Sequence, residues 1–344
     1  FPALYVRKRY NDLTVEAPAA GLGRSLRLNA QVMKHIEELC RRRQRVMSES
    51  NNRPAMLPEG ATPLDNPVGT APGVRMEHDG AIVYLMPGVP GEMREIFRKS
   101  VLPDLMGRFA PEPVETASVK ITGISESELF DRIRGLPGAR DAFAYYPGPE
   151  GIVVRIKTAP GAPMGAMALR DEVIRLIGER VYSTGDETME EVLGSLLIRR
   201  KLTLGIAESC TGGLVAHRLT NVPGSSAYLL AGVVAYSNES KTELLGVDPA
   251  IIRDHGAVSA ETAAAMAEGI GRVSGADIGV STTGIAGPGG GSELKPVGLM
   301  YAGFADRNGT ETNKLHFAEE RIINKSRMSQ AILDILRIHL EKEY

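Results

Sequence analysis

The chain has 344 residues, more than the roughly 250 to 300 at which a single core stops growing, so two or three domains are expected. Forty basic residues against 42 acidic ones leave a net charge of -2, which excludes a global attraction to nucleic acid or to an anionic membrane. Only two cysteines, Cys40 and Cys210, are present, without the paired spacing of a zinc site or a disulfide framework.

A reducing cytoplasm fits this cysteine usage. No apolar run approaches the ~18 residues of a membrane span, and no signal-peptide pattern follows Phe1. The lack of an initiator Met leads us to expect a fragment of a longer protein.

Apolar residues Val32, Ile36 and Leu39 recur at helical spacing and predict a helix from Asn29 to Met47. Arg41, Arg42, Arg43 and Arg45 read as its solvated end, near a dipole that favours cations, and not as a nucleic-acid patch. A segment rich in Pro, Gly and Asn then runs from Asn51 to Gly73. The strand Ala81 to Met86 enters the loop Pro87-Gly88-Val89-Pro90-Gly91-Glu92, a strand-to-helix connection of the kind that binds ligands in open α/β sheets, or an ordinary one.

Between Thr116 and Thr184 the expected order is strand (Ala117 to Thr122), helix (Ser125 to Leu136), strand (Ala142 to Tyr146), strand (Ile152 to Lys157) and helix (Met167 to Ile177). This is a small α+β domain. It contains no Gly-x-x-Gly clamp and no aromatic pair on a basic strand, so single-strand RNA binding is not indicated.

After a helix from Thr188 to Arg199, strands are expected at Leu202 to Ala207, Ala231 to Tyr236, Asp277 to Thr282, Val297 to Ala305 and Glu311 to Phe317. Helices are expected at Gly213 to Asn221, Ser240 to Leu245, Ala260 to Ser274 and Asn324 to Glu341. Such alternation implies a layered α/β domain with ligand sites at loop tips.

Three loops of this region end an apolar strand in small, hydroxylated or glycine residues: Glu208 to Gly213, Tyr236 to Lys241, and Thr282 to Gly291. Together they suggest one pocket supplied with hydroxyls and free N–H groups. Ser209 would have its hydroxyl facing that pocket and backbone N–H groups nearby to hold an oxyanion. None of the six histidines lies in such a loop beside an acid, so a Ser-His-Asp triad is not indicated. Lys241 can act as the base once burial lowers its pKa from about 10.4. Other readings stay open: Ser209 as a helix N-cap, Lys241 as a solvated lysine near Glu243, and Cys210 as a rival nucleophile or a small core filler.

The segments AESCTGG, GVVAYSNESKTELLGV, HGAVS and TGIAGPGGGSELKPVG resemble the nicotinamide-nucleotide amidase domain of the CinA (competence/damage-inducible protein A) family, in order and with its spacing. The resemblance implies hydrolysis of the carboxamide of nicotinamide mononucleotide, without a metal or other cofactor. It implies Ser209 as nucleophile, Lys241 as base and Thr283 with them. Thr211, Gly212, Gly213, Tyr236, Ser237, Gly284, Gly287 and Arg321 would line the substrate site, Arg321 at the phosphate. Glu319 and Glu320 stand where the family has Gly and Asp before that arginine. A homodimer is the assembly the resemblance implies, with a small nucleotide as ligand and neither nucleic acid nor membrane as partner.

Residues 114–184 resemble the family's KH-like linker domain, and 188–344 its amidase domain. The segments NDLTVEA, MLPEGATPLDNPVGTAPG and LMPGVPGEM, within residues 1–110, resemble part of its molybdopterin-binding-like domain, which the family associates with metal-dependent cleavage of ADP-ribose. The family's TGGLGPTxDD loop is absent here: Phe1 to Tyr10 reads FPALYVRKRY, and Asn11 stands at the first of its acidic positions. A divalent metal is expected only if this domain is active. Competing with the amidase reading are a non-catalytic nucleotide-binding regulator and an ADP-ribose pyrophosphatase. The first needs no nucleophile beside a buried base, and the second needs the missing loop.

Overall fold

The computed structural model describes residues 14–44, 46, 49–110, 112 and 114–343, and the expectations that fall on Phe1 to Asp12, Arg45 and Met47 lie outside them. The chain is mixed α/β and forms two compact units, one ending at Glu112 and one beginning at residue 113.

In the first unit, α1 (Glu16–Gly21) leads into β1 (Leu26–Leu28) and α2 (Ala30–Arg42), capped by the Asn29 side chain on the Val32 N–H at 3.0 Å. Strand β2 (Met56–Pro58) pairs with β1, and β3 (Thr62–Leu64), β4 (Gly73–His78) and β5 (Ala81–Leu85) form an antiparallel sheet. The Pro- and Gly-rich stretch is therefore less irregular than its composition suggests. Helices α3 (Pro90–Ile96) and α4 (Leu102–Phe109) follow. Val32, Ile36 and Cys40 from α2 pack on Leu57, Val74 and Met76. Buried Asn66 ties two of the sequence-matched segments together, donating to Glu92 at 2.8 Å and to the Ala71 carbonyl at 2.7 Å. Arg41, Arg42 and Arg43 are exposed, as a solvated helix end requires.

The second unit opens with β6 (Glu115–Ile121), α5 (Glu126–Ile133), the short α6 (Ala139–Ala142), β7 (Phe143–Gly148), β8 (Gly151–Thr158), α7 (Ala166–Ile177) and β9 (Val181–Ser183). The four strands form one antiparallel sheet in the order β7-β8-β6-β9. Alternation along β8 buries Ile152, Val154 and Ile156 against Leu129, Leu169 and Val173 of the helices. The sequence missed α6 and β9, both too short to show a period.

Helix α8 (Met189–Arg200) begins with a reciprocal cap between Thr188 and Glu191. Then come β10 (Leu204–Glu208), α9 (Leu214–Thr220), β11 (Leu229–Val234), α10 (Asn238–Leu245), α11 (Pro249–His255), α12 (Ala260–Ser274), β12 (Ile278–Gly284), β13 (Leu299–Asp306), β14 (Gly309–His316) and α13 (Arg321–Glu343). The sheet order is β11-β10-β12-β13-β14. Strands β11, β10 and β12 run parallel, and β13 and β14 are antiparallel additions.

One face of this sheet carries Ile206, Val280 and Met300 against α8 and α13, and the other carries Ala207 against Leu245, Met266 and Ile270. Residues read in sequence as linker and amidase domains lie in this one unit. Buried Arg337 of α13 donates to the Glu179 carbonyl at 2.6 Å, and Tyr182 packs on the larger core. Among the described residues no helix is long and apolar enough to cross a membrane.

Candidate active site

Three parallel strands end side by side, which is where the chemistry-bearing loops begin. The Ala235 N–H donates to the Glu208 carbonyl at 2.9 Å, and the Ser209 N–H donates to the Thr282 carbonyl at 2.9 Å. Ser209 is therefore held between the ends of β11 and β12.

Side chains alternate across the sheet, so the face of each residue follows from its neighbours. Ile206 belongs to the α8–α13 core, Ala207 to the α10–α12 core, and Glu208 turns back to α9. Ser209 is thus placed on the α10–α12 side. On β12, Ser281 Oγ donates to Ala263 of α12 at 2.6 Å and Thr283 Oγ1 donates to the Ala257 carbonyl at 2.7 Å. Thr282 lies on the opposite face, its hydroxyl 2.7 Å from that of Thr211. Thr283 thus pins the loop between α11 and α12, and Thr211 braces the serine turn from beneath.

Ser209 does not cap α9. Gly213 is the N-cap residue, with a φ of 91° that a side chain rarely adopts, and Gly212 before it has a φ of 62°. Two left-handed residues in succession turn the chain sharply enough to leave Ser209 on the strand end. Among the described residues the N–H groups of Cys210, Thr211 and Gly213 donate to no main-chain carbonyl, and those of Cys210 and Thr211 face the Cys210 sulfur.

Lys241 is not a solvated lysine, being 2% exposed. Its Nζ donates to the carbonyls of Ala235, Tyr236 and Ser237 at 3.1, 3.3 and 3.4 Å, and no hydrogen bond joins it to Ser209 Oγ among the described residues. Burial pushes its pKa below the ordinary lysine value, against weaker opposing effects of Cys210 and Glu239. Ser237 caps α10 through the Ser240 N–H at 3.1 Å, which sets the helix that carries Lys241.

Cys210 faces the other core. Burial pushes its thiol up to about 12, so it stays protonated and is a poor nucleophile. Histidines do meet acids in this unit, His339 with Asp306 at 3.0 Å and His255 with Glu261 at 3.4 Å. Asp306 ends β13 beside the start of β12, at the far end of the sheet from Ser209. His255 ends α11 and turns to α12.

A second group gathers at the start of α13. Arg321 donates to the Tyr236 hydroxyl at 2.9 Å and to the Gly287 carbonyl at 2.6 Å. Three residues expected at the substrate site therefore meet. Gly284 closes β12 opposite Met300. Sequence reasoning missed two residues here. Asn324, fully buried, donates to the carbonyls of Ala286 and Glu319 at 3.1 and 2.7 Å and so fixes the loop before Arg321. Lys325 is half-buried, and a Cβ at Gly212 would lie 3.3 Å from its Nζ. The helix expected from Asn324 starts three residues earlier, at Arg321, and only with that turn added do Arg321 and Lys325 stand four apart on one helix.

The chain matches the CinA C-terminal domain over residues 186–340 and a second family, described as "Probable molybdopterin binding domain", over residues 9–107. It is 40% identical over 333 residues to a competence-damage inducible protein of Caldicellulosiruptor bescii, covering 95% of this chain and 81% of that protein. A relative of the same description from Moorella thermoacetica is 41% identical over 332 residues, covering 95% and 80%. The crystal structure of a competence/damage inducible protein from Agrobacterium tumefaciens is 37% identical, covers 46% of this chain and 100% of that one, and superposes with a TM-score of 0.43. The chain belongs to the CinA family of competence/damage-inducible proteins, with a molybdopterin-binding-like domain ahead of the CinA C-terminal domain.

Proposed function

We propose that the C-terminal part of this chain hydrolyses the carboxamide of nicotinamide mononucleotide to nicotinic acid mononucleotide and ammonia. The observation that carries this reading is a buried lysine of α10 with a lowered pKa, its amine held at the end of β11, the strand next to the one that presents Ser209. A site for phosphate alone has no use for a nucleophile and a base.

An ammonium has three N–H groups, which the three carbonyls around Lys241 can accept. A neutral amine has two, and a lone pair. In the base form the longest contact, to Ser237, is the one released, and burial favours that form. Ser209 Oγ attacks the carboxamide carbon as its proton passes to Lys241 Nζ. The main-chain N–H groups of the serine turn, that of Gly213 among them, are the candidates to receive the oxyanion. Collapse breaks the C–N bond, Lys241 returns the proton to the leaving nitrogen, and ammonia departs from an acyl-serine ester. Water then attacks that ester while Lys241 takes its proton, and protonation of Oγ as the C–O bond breaks restores Ser209 and releases the carboxylate.

Lys325 stands beside Gly212 and Arg321 lies one helical turn before it, and neither has a carboxylate partner within 4.0 Å among the described residues, whereas Arg327 is paired with Glu319 at 3.4 Å. Two unpaired cations four residues apart suit a phosphate monoester, and with it a nucleotide in preference to a free amide. The test is ammonia release on incubating the purified chain with nicotinamide mononucleotide. No release above a protein-free control rejects the assignment.

A further inference from the structure

We infer that Glu208 is a positioning residue that holds the nucleophile loop in its reactive shape, an inference that rests on the amidase reading above. Its side chain is 1% exposed in all, and its two oxygens accept from the Val215 N–H at 3.1 Å and the Ala216 N–H at 2.8 Å. No lysine, arginine or histidine pairs with it within 4.0 Å among the described residues.

A buried carboxylate without a counter-ion is a costly way to start a helix. An Asn, Ser or Thr at the N-cap supplies an acceptor with no charge to desolvate. Here the N-cap is Gly213, which has no side chain to offer. The carboxylate reaches past it and closes residues 208 to 216 into a ring, with the strand end on one side and the first turn of α9 on the other. Ser209, Cys210, Thr211 and the two glycines lie inside that ring.

The main chain of the same residue acts on the base. The Glu208 carbonyl accepts from the Ala235 N–H at 2.9 Å, and the Ala235 carbonyl accepts from Lys241 Nζ at 3.1 Å. Glu208 thus locks the serine turn through its side chain and, through its carbonyl, the strand end that carries the lysine's acceptor. Glycines at 212 and 213 leave the turn free to take other shapes, so a clamp across them has a clear use.

The experiment uses the full chain with Glu208→Gln and Glu208→Asp. Gln keeps the shape but sets an amide N–H against a main-chain N–H, and Asp keeps the charge but is one methylene short. Steady-state ammonia release from nicotinamide mononucleotide should show kcat lowered by about 10²-fold with KM within threefold, the size that a misplacement of about 1 Å costs. Hydrogen–deuterium exchange should accelerate in peptides spanning 209 to 216 and stay unchanged in β12 and β13.

If both variants keep kcat within twofold, or exchange in that peptide is unaltered, the inference is overturned. Loss of thermal stability with faster exchange throughout the sheet also overturns it, because Glu208 is then merely structural. Should the Gln variant fail to fold, the Asp variant carries the same two readouts. A wild-type chain that releases no ammonia rejects the amidase reading instead, and the exchange comparison still decides whether Glu208 sets the loop.

Discussion

Lys241 and Ala235 are joined side chain to main chain: the lysine Nζ donates to the alanine carbonyl at 3.1 Å, from the helix back to the end of its own strand. This contact turns a residue of exposed helical sequence into a buried amine beside the serine turn. Burial disfavours its charged form, so its cost is fully present at low pH and is relieved as pH rises toward the ordinary lysine value.

The first prediction concerns that proton. With Lys241 as base, kcat/KM should rise with pH along a limb whose midpoint lies below the ~10.4 of a free lysine. Lys241→Arg, which cannot deprotonate at these pH values, should lose about 10²- to 10⁴-fold in rate together with that limb. A pH–rate profile that the substitution leaves unchanged in shape removes Lys241 from the mechanism.

Ser209 and Cys210 are neighbours on opposite faces. Ser209→Ala should lower ammonia release by at least about 10⁴-fold, while Cys210→Ala, which empties a small core site next to Thr282, should cost stability and little turnover. Thermal melting beside the ammonia assay separates the two effects. A reversed pattern transfers the nucleophile to the thiol.

Lys325 offers a test of the phosphate reading. Lys325→Met should raise KM for nicotinamide mononucleotide roughly tenfold or more and leave slow turnover of nicotinamide riboside, which lacks the phosphate, unchanged. Equal losses on both substrates would mean that Lys325 shapes the glycine turn and does not bind an anion.

Arg337 is the most consequential buried charge away from the site. It holds Asp334 at 2.7 Å and Glu341 at 2.8 Å as well as the Glu179 carbonyl, and burial raises the pKa of Asp334. Arg337→Met should cost about 3 to 5 kcal/mol by leaving that carboxylate unpaired, and Asp334→Asn in the same chain should recover part of it. Melting temperatures of the single and double variants measure both numbers. Residues 188–344 alone lack the Glu179 carbonyl and should melt below residues 113–344.

The elements of the last 150 or so residues were legible because each long helix and buried strand shows its own period. Boundaries moved by a few residues where caps decided them, as when Ser237 began α10 two residues before the expected start. Helix α11 was missed although Asp248 followed by Pro249 is an N-terminal signal, since seven residues show little periodicity. The antiparallel character of β13 and β14 cannot be read from alternation, which is the same in either direction.

Sequence by itself determined the family, the mixed α/β class and the three loops, because glycine and hydroxyl residues after an apolar strand are local signals. Only the tertiary structure decided which face each side chain occupies. Ser209 and Cys210 differ by one position, and with a side-chain period of two, one goes to the α10–α12 face and the other into the opposite core. Lys241 is buried by the fold around its own segment, while the meeting of Arg321 with Tyr236 and Gly287 and the approach of Lys325 to Gly212 join different parts of the chain. Packing sets such distances, and no local pattern encodes them.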